Sequence, residues 1–230
     1  ARSAARILAR VLISVVIRTY NEAKYLDELL AATRAQVCSS CEIEVVLVDS
    51  GSTDDTLEIA GRHGCRITHI SQEEFSFGRS LNLGCEFARG DYLAFVSGHC
   101  IPENEHWLDN LVQPLRSGEA AYTYGRQRGR DTTRFSEQQH FDKAFPDYSK
   151  IPQDGYFCNN ANAAIRRDAW EQFRFDEELT GLEDMHLAKR LTESGMKTAY
   201  VADASVFHIH DESWRQVRTR YEREAYALHQ

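Results

Sequence analysis

Two acidic residues, Glu183 and Asp184, stand side by side where a polar stretch gives way to a segment with helical periodicity. A carboxylate at the start of a helix can face a cleft and take the proton from a hydroxyl group as its oxygen attacks another centre. The positive end of the helix dipole also favours acidic side chains at that place, without any role in chemistry. The pair is therefore a candidate acid-base centre, and stabilisation of a helix terminus is the alternative.

Three histidines lie at or near the ends of apolar, strand-like runs. His99 belongs to the polar tip SGHC (97–100), which follows the run YLAFV, and the other two form the triplet HIH at 208–210. Alternate residues of an extended segment face the same side, so His208 and His210 can point at one target. Neutral imidazole is a good ligand for divalent transition metals, which makes these histidines candidate metal ligands.

Strand-like and helix-like segments alternate along the chain. Apolar runs rich in β-branched residues predict buried strands, and apolar residues spaced three and four apart predict helices between them. The predicted strands are 12–20, 42–50, 66–70, 92–97, 120–125 and 197–210; the predicted helices cover 21–36, begin at 52, lie around 80–88, follow 102, cover 183–195 and run from 213 to 230. Residues 126–160 have no clean period and are predicted to be an inserted loop region, followed by a further strand. This order predicts an α/β fold with a mainly parallel mixed sheet and helices on both faces.

Polar residues follow three of the predicted strands, at 18–22, 49–54 and 97–100. In an open parallel sheet, ligands bind beyond the carboxyl ends of the strands, so these three tips are expected to meet along one edge. The first turn lacks the glycine-rich sequence that holds the pyrophosphate of a dinucleotide, which argues against a nicotinamide-dependent enzyme.

Composition narrows the class of protein further. The 230 residues, 42% of them hydrophobic, suffice for one globular domain with a sizeable core. With 27 Lys and Arg against 35 Asp and Glu the formal net charge is -8, which argues against a nucleic-acid partner. No apolar run could span a bilayer and no signal peptide is evident, so we expect a cytoplasmic protein, with the inner face of the membrane as the place of any peripheral association.

Six scattered cysteines fit a reducing compartment. Cys38 and Cys41 form a C-x-x-C without a second pair or a spaced histidine. We interpret them as plain cysteines, with a zinc or redox role as the alternative.

Four ordered stretches, which cover nearly the whole chain, resemble the family 2 glycosyltransferases of GT-A fold: SVVIRTYNEAKYLDELL, VVLVDSGSTDDT, FSFGRSLNLGCEFARGDYLAFVSGHCIP and GLEDMHLAKRL. Within the family, FSFGRSLN and the later FHIH are most similar to the bacterial rhamnosyltransferase-like branch. The resemblance implies inverting transfer of a hexosyl or deoxyhexosyl group from a UDP- or dTDP-linked donor to a hydroxyl of a glycan or lipid-linked saccharide. It also implies a divalent metal, Mn²⁺ or Mg²⁺.

Carried over residue by residue, the resemblance makes Asp184 the general base and Glu183 the partner of acceptor hydroxyl groups. It brings the nucleotide sugar to the side chains or backbone of Thr19, Tyr20, Asn21, Glu22, Asp49, Arg79, Ser97 and Gly98. An ionised carboxylate such as Asp49 suits this task because it accepts hydrogen bonds from ribose hydroxyls. Asp49 also begins a good turn sequence, and Arg79 could equally be a solvated surface arginine.

The tip SGH (97–99) departs from the family pattern. Family members usually carry Asp-x-Asp there, whose last carboxylate binds the metal held by the donor diphosphate, and His99 stands in that place. Three interpretations stay open: His99 ligates a metal together with His208 or His210, it stabilises the leaving diphosphate as an imidazolium, or it is a polar loop residue of an inactive protein.

The resemblance assigns the two halves of a single GT-A domain different tasks. Residues 1–101 are expected to bind the nucleotide sugar, and residues 102–230 to bind the acceptor and carry out catalysis. Cys158, Asn159 and Asn160 are the candidate acceptor contacts, just before a predicted strand.

A different class of function competes with the enzyme. The chain could be a catalytically silent module that binds nucleotide sugars or other proteins within a larger polysaccharide-assembly protein. Loss of Asp-x-Asp favours that interpretation, whereas the intact pair Glu183-Asp184 favours the enzyme. The last predicted helix is still amphipathic at Gln230. We therefore expect that the sequence can be part of a longer chain that contains other domains.

Overall fold

A computed structural model describes residues 10–38, 41–210 and 213–227. Within these ranges the chain forms one mixed sheet with helices around it. The strands are β1 (Val11–Thr19), β2 (Cys41–Asp49), β3 (Arg66–His69), β4 (Tyr92–Ser97), β5 (Cys100–Pro102), β6 (Tyr122–Arg128), β7 (Asn162–Arg166) and β8 (Thr198–His208). The helices are α1 (Ala23–Arg34), α2 (Thr56–Arg62), α3 (Phe77–Phe87), α4 (Trp107–Arg116), α5 (Phe135–Ala144), α6 (Arg167–Phe173), α7 (Glu183–Glu193) and α8 (Trp214–Ala227).

The strand order is β3-β2-β1-β4-β7-β6-β8-β5. The first four strands in this order pair in parallel, β7 runs antiparallel to β4 and β6, and β8 pairs in parallel with β6 and antiparallel with β5. The predicted mixed, mainly parallel sheet is therefore confirmed.

Strand β1 is apolar on both sides because helices cover both faces of the sheet. Ile13, Val15 and Ile17 pack in a core with residues of α1, α2 and α4, whereas Val16 packs on the opposite face with residues of α3, α6 and α7. This alternation follows from the two-residue repeat of a strand. The predicted helices on both faces are confirmed.

Three elements lie where the sequence pattern did not predict them. The prediction of a loop region is wrong over α5, which buries only Phe141 deeply and so has a weak hydrophobic period. The short strand β5 and the helix α6 were also missed, and their lengths of 3 and 7 residues leave little periodicity to detect. Helix α3 begins earlier than predicted because Ser76 caps it, its hydroxyl accepting from the Arg79 N–H at 3.1 Å.

Two further predictions concern cysteines and termini. Cys38 and Cys41 are joined in a disulfide, so the interpretation of this pair as plain cysteines is wrong. The last helix ends at Ala227 within the described residues, and 228–230, which were predicted to continue it, lie outside them. Over the ranges given above, every helix is too short or too polar to cross a bilayer.

The register brings the polar tips together. Thr19 pairs with Asp49 and Arg18 with Ser97, so the carboxyl ends of β1, β2 and β4 lie at one edge of the sheet, as predicted. The tip after β4 reaches the end of β8 as well, because the Ile209 N–H donates to the carbonyl oxygen of His99 at 3.1 Å.

Candidate active site

Two cavities open at this edge of the sheet. The acid-pair cavity, about 320 Å³, is lined by residues 181–185, 157–161, part of α5 and the end of β8. The strand-end cavity, about 180 Å³, is lined by the end of β1, Ser50 and the tip 97–99, together with two phenylalanines. Arg18, Phe77 and Ser97 line both cavities, so the two spaces meet at these side chains.

The acid pair begins helix α7 and is buried, with Glu183 4% and Asp184 9% exposed. The preceding residue, Leu182, has φ 59°, in the left-handed region that leucine rarely adopts. Such strain costs on the order of 1–3 kcal/mol and is concentrated at functional sites, where the surrounding structure imposes it. Here it turns the start of the helix so that both carboxylates line the cavity.

Asp184 is held by two backbone hydrogen bonds. The Asn160 N–H donates to Oδ2 at 2.9 Å and the Met185 N–H to Oδ1 at 2.7 Å. Burial nevertheless raises the pKa of Asp184 to about 7, and the adjacent Glu183 contributes to the rise. The two backbone hydrogen bonds and the charge of Arg18 lower the pKa and so limit the rise. A carboxyl group in this condition can take up a proton near neutral pH.

Arg18 sits at the junction of the two cavities, and sequence reasoning gave it no role. Its Nη1 lies 3.6 Å from Glu183 Oε1 and donates to the Phe77 carbonyl oxygen at 3.3 Å. The guanidinium carbon lies 5.0 Å from the centroid of the Phe77 ring. Arg18 therefore links β1, α3 and α7 and provides positive charge beside the acid pair.

The strand-end cavity brings together some of the residues predicted to bind the nucleotide sugar and leaves others out. Its lining includes Thr19, Tyr20, Glu22, Ser97, Gly98 and His99. Asn21 is absent from this lining. Its backbone has φ 56°, and its side-chain oxygen accepts from the Thr53 N–H at 2.8 Å, which joins the first two polar tips.

Asp49 is also absent from both linings, and its carboxylate is satisfied by its own turn. Oδ1 accepts from the hydroxyls of Thr19 at 3.0 Å and Ser52 at 2.5 Å, and Oδ2 accepts from the N–H groups of Gly51 and Ser52 at 2.9 Å each. Burial opposes ionisation, but these hydrogen bonds, first among them those from Ser52, lower the pKa of Asp49. The carboxylate thus holds the turn that follows β2.

Arg79 lies away from both cavities. Its Nε donates to Glu177 Oε2 at 3.0 Å, and its side chain is 42% exposed. The structure therefore does not bring Arg79 to the other residues predicted to bind the donor.

The three candidate metal ligands form a cluster across the two cavities. His99 lines the strand-end cavity, and His208 and His210 line the acid-pair cavity. One ring nitrogen of each lies within 4.8 Å of the others, and the ring centroids are 4.1 to 5.6 Å apart. Three imidazoles at this spacing can share one divalent cation, and a set of nitrogen ligands suits transition metals better than Mg²⁺.

The candidate acceptor contacts Cys158, Asn159 and Asn160 all line the acid-pair cavity. Asn160 is 4% exposed, and its side-chain oxygen accepts from the Tyr122 hydroxyl. Its amide nitrogen has no hydrogen-bond partner among the described residues. This nitrogen is buried, and a buried donor without a partner is costly, which makes it a candidate donor to a ligand of the cavity that Asn160 lines.

The sequence pattern did not predict that a helix, α5, forms part of this site. Glu137, His140, Phe141 and Ala144 all line the acid-pair cavity. Their spacing of three, one and three residues is that of one helix face, so it was visible in the sequence. The pattern mixes acidic, aromatic and small residues, however, and hydrophobicity alone does not detect it.

The fold is that of GT-A glycosyltransferases. A mannosyltransferase from Pyrobaculum calidifontis, PcManGT, solved with GDP-Man and Mn²⁺, matches with a TM-score of 0.72 and 21% identity, over 95% of this chain and 64% of that chain. Residues 1–349 of S. aureus TarS, solved with UDP-GlcNAc, match with a TM-score of 0.70 and 20% identity, over 87% of this chain and 59% of that one.

The chain belongs to glycosyl transferase family 2, whose family model matches residues 14–174. O-antigen chain rhamnosyltransferase WbaN of Salmonella anatum is 31% identical over 189 residues, 77% of this chain and 60% of WbaN. O-antigen chain rhamnosyltransferase RfbN of Salmonella typhimurium is 28% identical over 221 residues, 91% of this chain and 70% of RfbN. The predicted family and its rhamnosyltransferase-like branch are confirmed, and the chain spans about 60% of the length of WbaN.

Proposed function

We propose that this chain is the catalytic domain of an inverting glycosyltransferase that moves a sugar from a nucleotide-diphosphate donor to a hydroxyl group of a saccharide. The observation that carries the proposal is the buried Asp184, with its raised pKa, in a cavity that meets the strand-end cavity. Base catalysis requires a proton acceptor within hydrogen-bond reach of the attacking hydroxyl. A donor in one cavity and an acceptor in the other would meet beside this carboxylate.

The donor occupies the strand-end cavity in this proposal. Thr19, Tyr20, Glu22 and the tip 97–99 line it, at the sheet edge where open α/β sheets bind ligands. The names of WbaN and RfbN support a rhamnosyl donor, a deoxyhexose, which we propose is dTDP- or UDP-linked. Asp49 acts on the nucleoside indirectly, by holding the turn beside it.

The acceptor occupies the acid-pair cavity. Phe141 and Phe157 offer aromatic surfaces on which a sugar ring can stack, and the unpaired amide nitrogen of Asn160 can donate to a sugar oxygen. Glu183 accepts from acceptor hydroxyls while Arg18, 3.6 Å away, balances its charge. The acceptor is then a saccharide, either free or linked to a lipid.

His99, His208 and His210 hold a divalent cation in this proposal. The spacing of their nitrogens and the absence of a carboxylate from the set fit Mn²⁺ better than Mg²⁺. The Mn²⁺ present with PcManGT supports this choice. When bound, the cation supplies positive charge to the donor diphosphate.

The chain's own residues then perform the transfer. Asp184 takes the proton of the acceptor hydroxyl while that oxygen forms a bond to the anomeric carbon. The bond between this carbon and the diphosphate oxygen breaks, and its electron pair leaves with the diphosphate. Attack opposite the leaving group inverts the configuration, and the backbone hydrogen bonds to Asp184 keep its carboxylate oriented during the step.

One observation favours the silent binding module as a second candidate: the tip SGH lacks both carboxylates of Asp-x-Asp. That module would bind the same donors without transferring the sugar. The burial of Asp184 favours the enzyme. Burying an ionisable group lowers the stability of the fold, and groups with such perturbed pKa values are concentrated at catalytic sites.

Two measurements on the purified chain test the proposal. Thermal-shift experiments with UDP, dTDP and GDP, each with Mn²⁺ or with chelator, identify the nucleotide, because a ligand at about 100 times its Kd stabilises by ~2.7 kcal/mol. Release of the nucleoside diphosphate is then measured with the matching sugar donor and a lipid-linked saccharide. Binding without transfer would establish the silent module, and absence of nucleotide binding would refute both candidates.

A further inference from the structure

Each histidine of the cluster is hydrogen-bonded through Nδ1 to an oxygen atom of a neighbouring side chain. The three pairs are His99 with Glu22 Oε1 at 3.1 Å, His208 with Gln127 Oε1 at 2.7 Å, and His210 with the carboxylate of Glu137. The three partners come from different elements, namely the N-cap of α1, strand β6 and helix α5. Sequence reasoning gave no role to two of them and assigned the third to the donor.

The orientation of the Gln127 amide is fixed by a further hydrogen bond. Its nitrogen donates to Asn159 Oδ1 at 3.0 Å, and the same oxygen accepts from the Ala161 N–H at 3.0 Å. The amide oxygen of Gln127 must therefore face His208, and the Nδ1 of His208 must carry the hydrogen. In this tautomer its other nitrogen, Nε2, carries the lone pair with which an imidazole binds a metal.

Glu22 reaches His99 because Gly98 has no side chain. A Cβ added to Gly98 would lie 2.7 Å from Cγ and 2.9 Å from Cδ of Glu22, closer than such atoms approach. The glycine of the tip thus makes room for the glutamate to lie across it. An ionised carboxylate only accepts hydrogen bonds, so His99 also has its hydrogen on Nδ1.

We propose that Glu22, Gln127 and Glu137 are positioning residues that make all three histidines present Nε2 to one shared divalent transition-metal ion. This inference rests on the metal site of the proposed function and adds how that site is built. Hydrogen bonds of this kind orient the ring and increase the basicity of the ligand. The carboxylates of Glu22 and Glu137 also bring close to the ion the negative charge that the tip SGH lacks.

The same arrangement connects the metal with the acceptor side. Glu137 lies on α5, and the neighbouring residue of the same helix face, Phe141, stacks on His208 and His210 with centroids 5.8 and 6.4 Å apart. Both side chains line the acid-pair cavity. A ligand that orders α5 would therefore also order two of the three metal ligands.

Titration with Co²⁺, followed by its absorption spectrum, and with Mn²⁺, followed by loss of the free-ion resonance signal, tests the proposal in the presence of UDP. Glu22→Ala and Glu137→Ala should each weaken binding of both ions by roughly 10- to 100-fold. The glutamine variants should lose less, because an amide oxygen still accepts from Nδ1. Asp27→Asn is the matched control, since the exposed Asp27 bonds His63 at 3.0 Å outside the cluster, and it should leave metal affinity unchanged.

Gly98→Ala provides an independent route, because it displaces the Glu22 carboxylate without altering any charge, and it should weaken metal binding as Glu22→Ala does. If Glu22→Ala or Glu137→Ala fails to fold, Gly98→Ala and the isosteric glutamine variants of the two glutamates decide the question. Metal affinity equal to wild type in all of them, with loss in His99→Ala, would overturn the positioning role while leaving the metal site intact. A wild-type chain that binds neither ion would overturn the positioning role and the metal site together.

Discussion

Replacement of Asp184 by asparagine should separate stability from activity. The asparagine variant removes the ionisable group but keeps its size, so donor binding should be nearly unchanged. Turnover should fall by roughly 10²-fold or more, as when a general base is lost. At the same time the variant should become more stable relative to wild type as the pH rises.

The size of the stability change follows from the pKa. The pKa of Asp184 is 3.8 without the effects of the fold and about 7 in the folded chain. At pH values between these two, the folded state keeps a proton on Asp184 that the unfolded state has released. This contribution to stability is fully present below the lower value and is lost as the pH rises through the higher one. At ~1.36 kcal/mol per pH unit, wild type should lose roughly 2 kcal/mol relative to the variant between about pH 5.5 and about pH 8.5.

Calorimetry at these two pH values measures the difference. In a chain of 230 residues, roughly 2 kcal/mol corresponds to a change of roughly 4–8 °C in the gap between the two Tm values. The difference between the two Tm values at a single pH is less informative. The amide nitrogen of the introduced asparagine faces a backbone N–H group and cannot accept from it, which lowers the stability of the variant by about 1 kcal/mol at every pH. Asp203→Asn, at an exposed position of β8, is the control and should show a constant gap. An equally constant gap for Asp184→Asn would refute the burial argument.

Three other predictions concern the metal, the turn after β2 and the junction of the cavities. Chelation should weaken binding of the nucleoside diphosphate roughly tenfold in wild type and much less in His99→Ala, by isothermal calorimetry; affinities that do not respond to chelator would exclude a metal from donor binding. Asp49→Ala should cost roughly 2–4 kcal/mol in urea unfolding and about 1–3 kcal/mol in nucleotide affinity, because several donors lose their acceptor. Since hydrogen bonds lower the pKa of Asp49, its stabilising effect should vanish as the pH falls through the folded-state value, and a gap that persists in acid would contradict this role. Arg18→Met should move the acidic limb of the pH–rate profile to higher pH, because the charge of Arg18 lowers the pKa of Asp184; an unshifted limb would show that the two groups are not coupled.

Local patterns were enough to predict the elements that have strong periodicity. The buried strands β1, β2 and β4 and the helices α1 and α7 were all predicted from apolar spacing, and the family was predicted from four short stretches. Helix α5 was not predicted, because the face that lines the acid-pair cavity mixes Glu137 and His140 with Phe141. A functional helix face of this composition has no hydrophobic period, so periodicity could not reveal it.

Residue types alone determined which chemistry was available to this chain. The acid pair indicated proton transfer, and the histidine of the tip SGH and the triplet HIH indicated metal binding or stabilisation of a diphosphate by an imidazolium. The family resemblance gave Asp184 the task of a general base and Asp49 that of a hydrogen-bond acceptor for the ribose, but the residue type alone does not distinguish the two carboxylates. Asp49 ends a strand and precedes a turn, and Asp184 lies in the first turn of a helix, both of which are common places for an acidic residue.

Only the tertiary structure decided what each group does. Asp184 is buried beside Glu183 and its pKa rises, whereas Asp49 is buried among donors and its pKa falls. In the same way, His99 of the tip after β4 meets His208 and His210 only because the strands pair in this order, and His210 in turn meets Glu137 of α5. Desolvation and hydrogen bonding depend on which distant segments come within a few ångströms of a group, and that information lies in the packing of the whole chain rather than in any stretch of it.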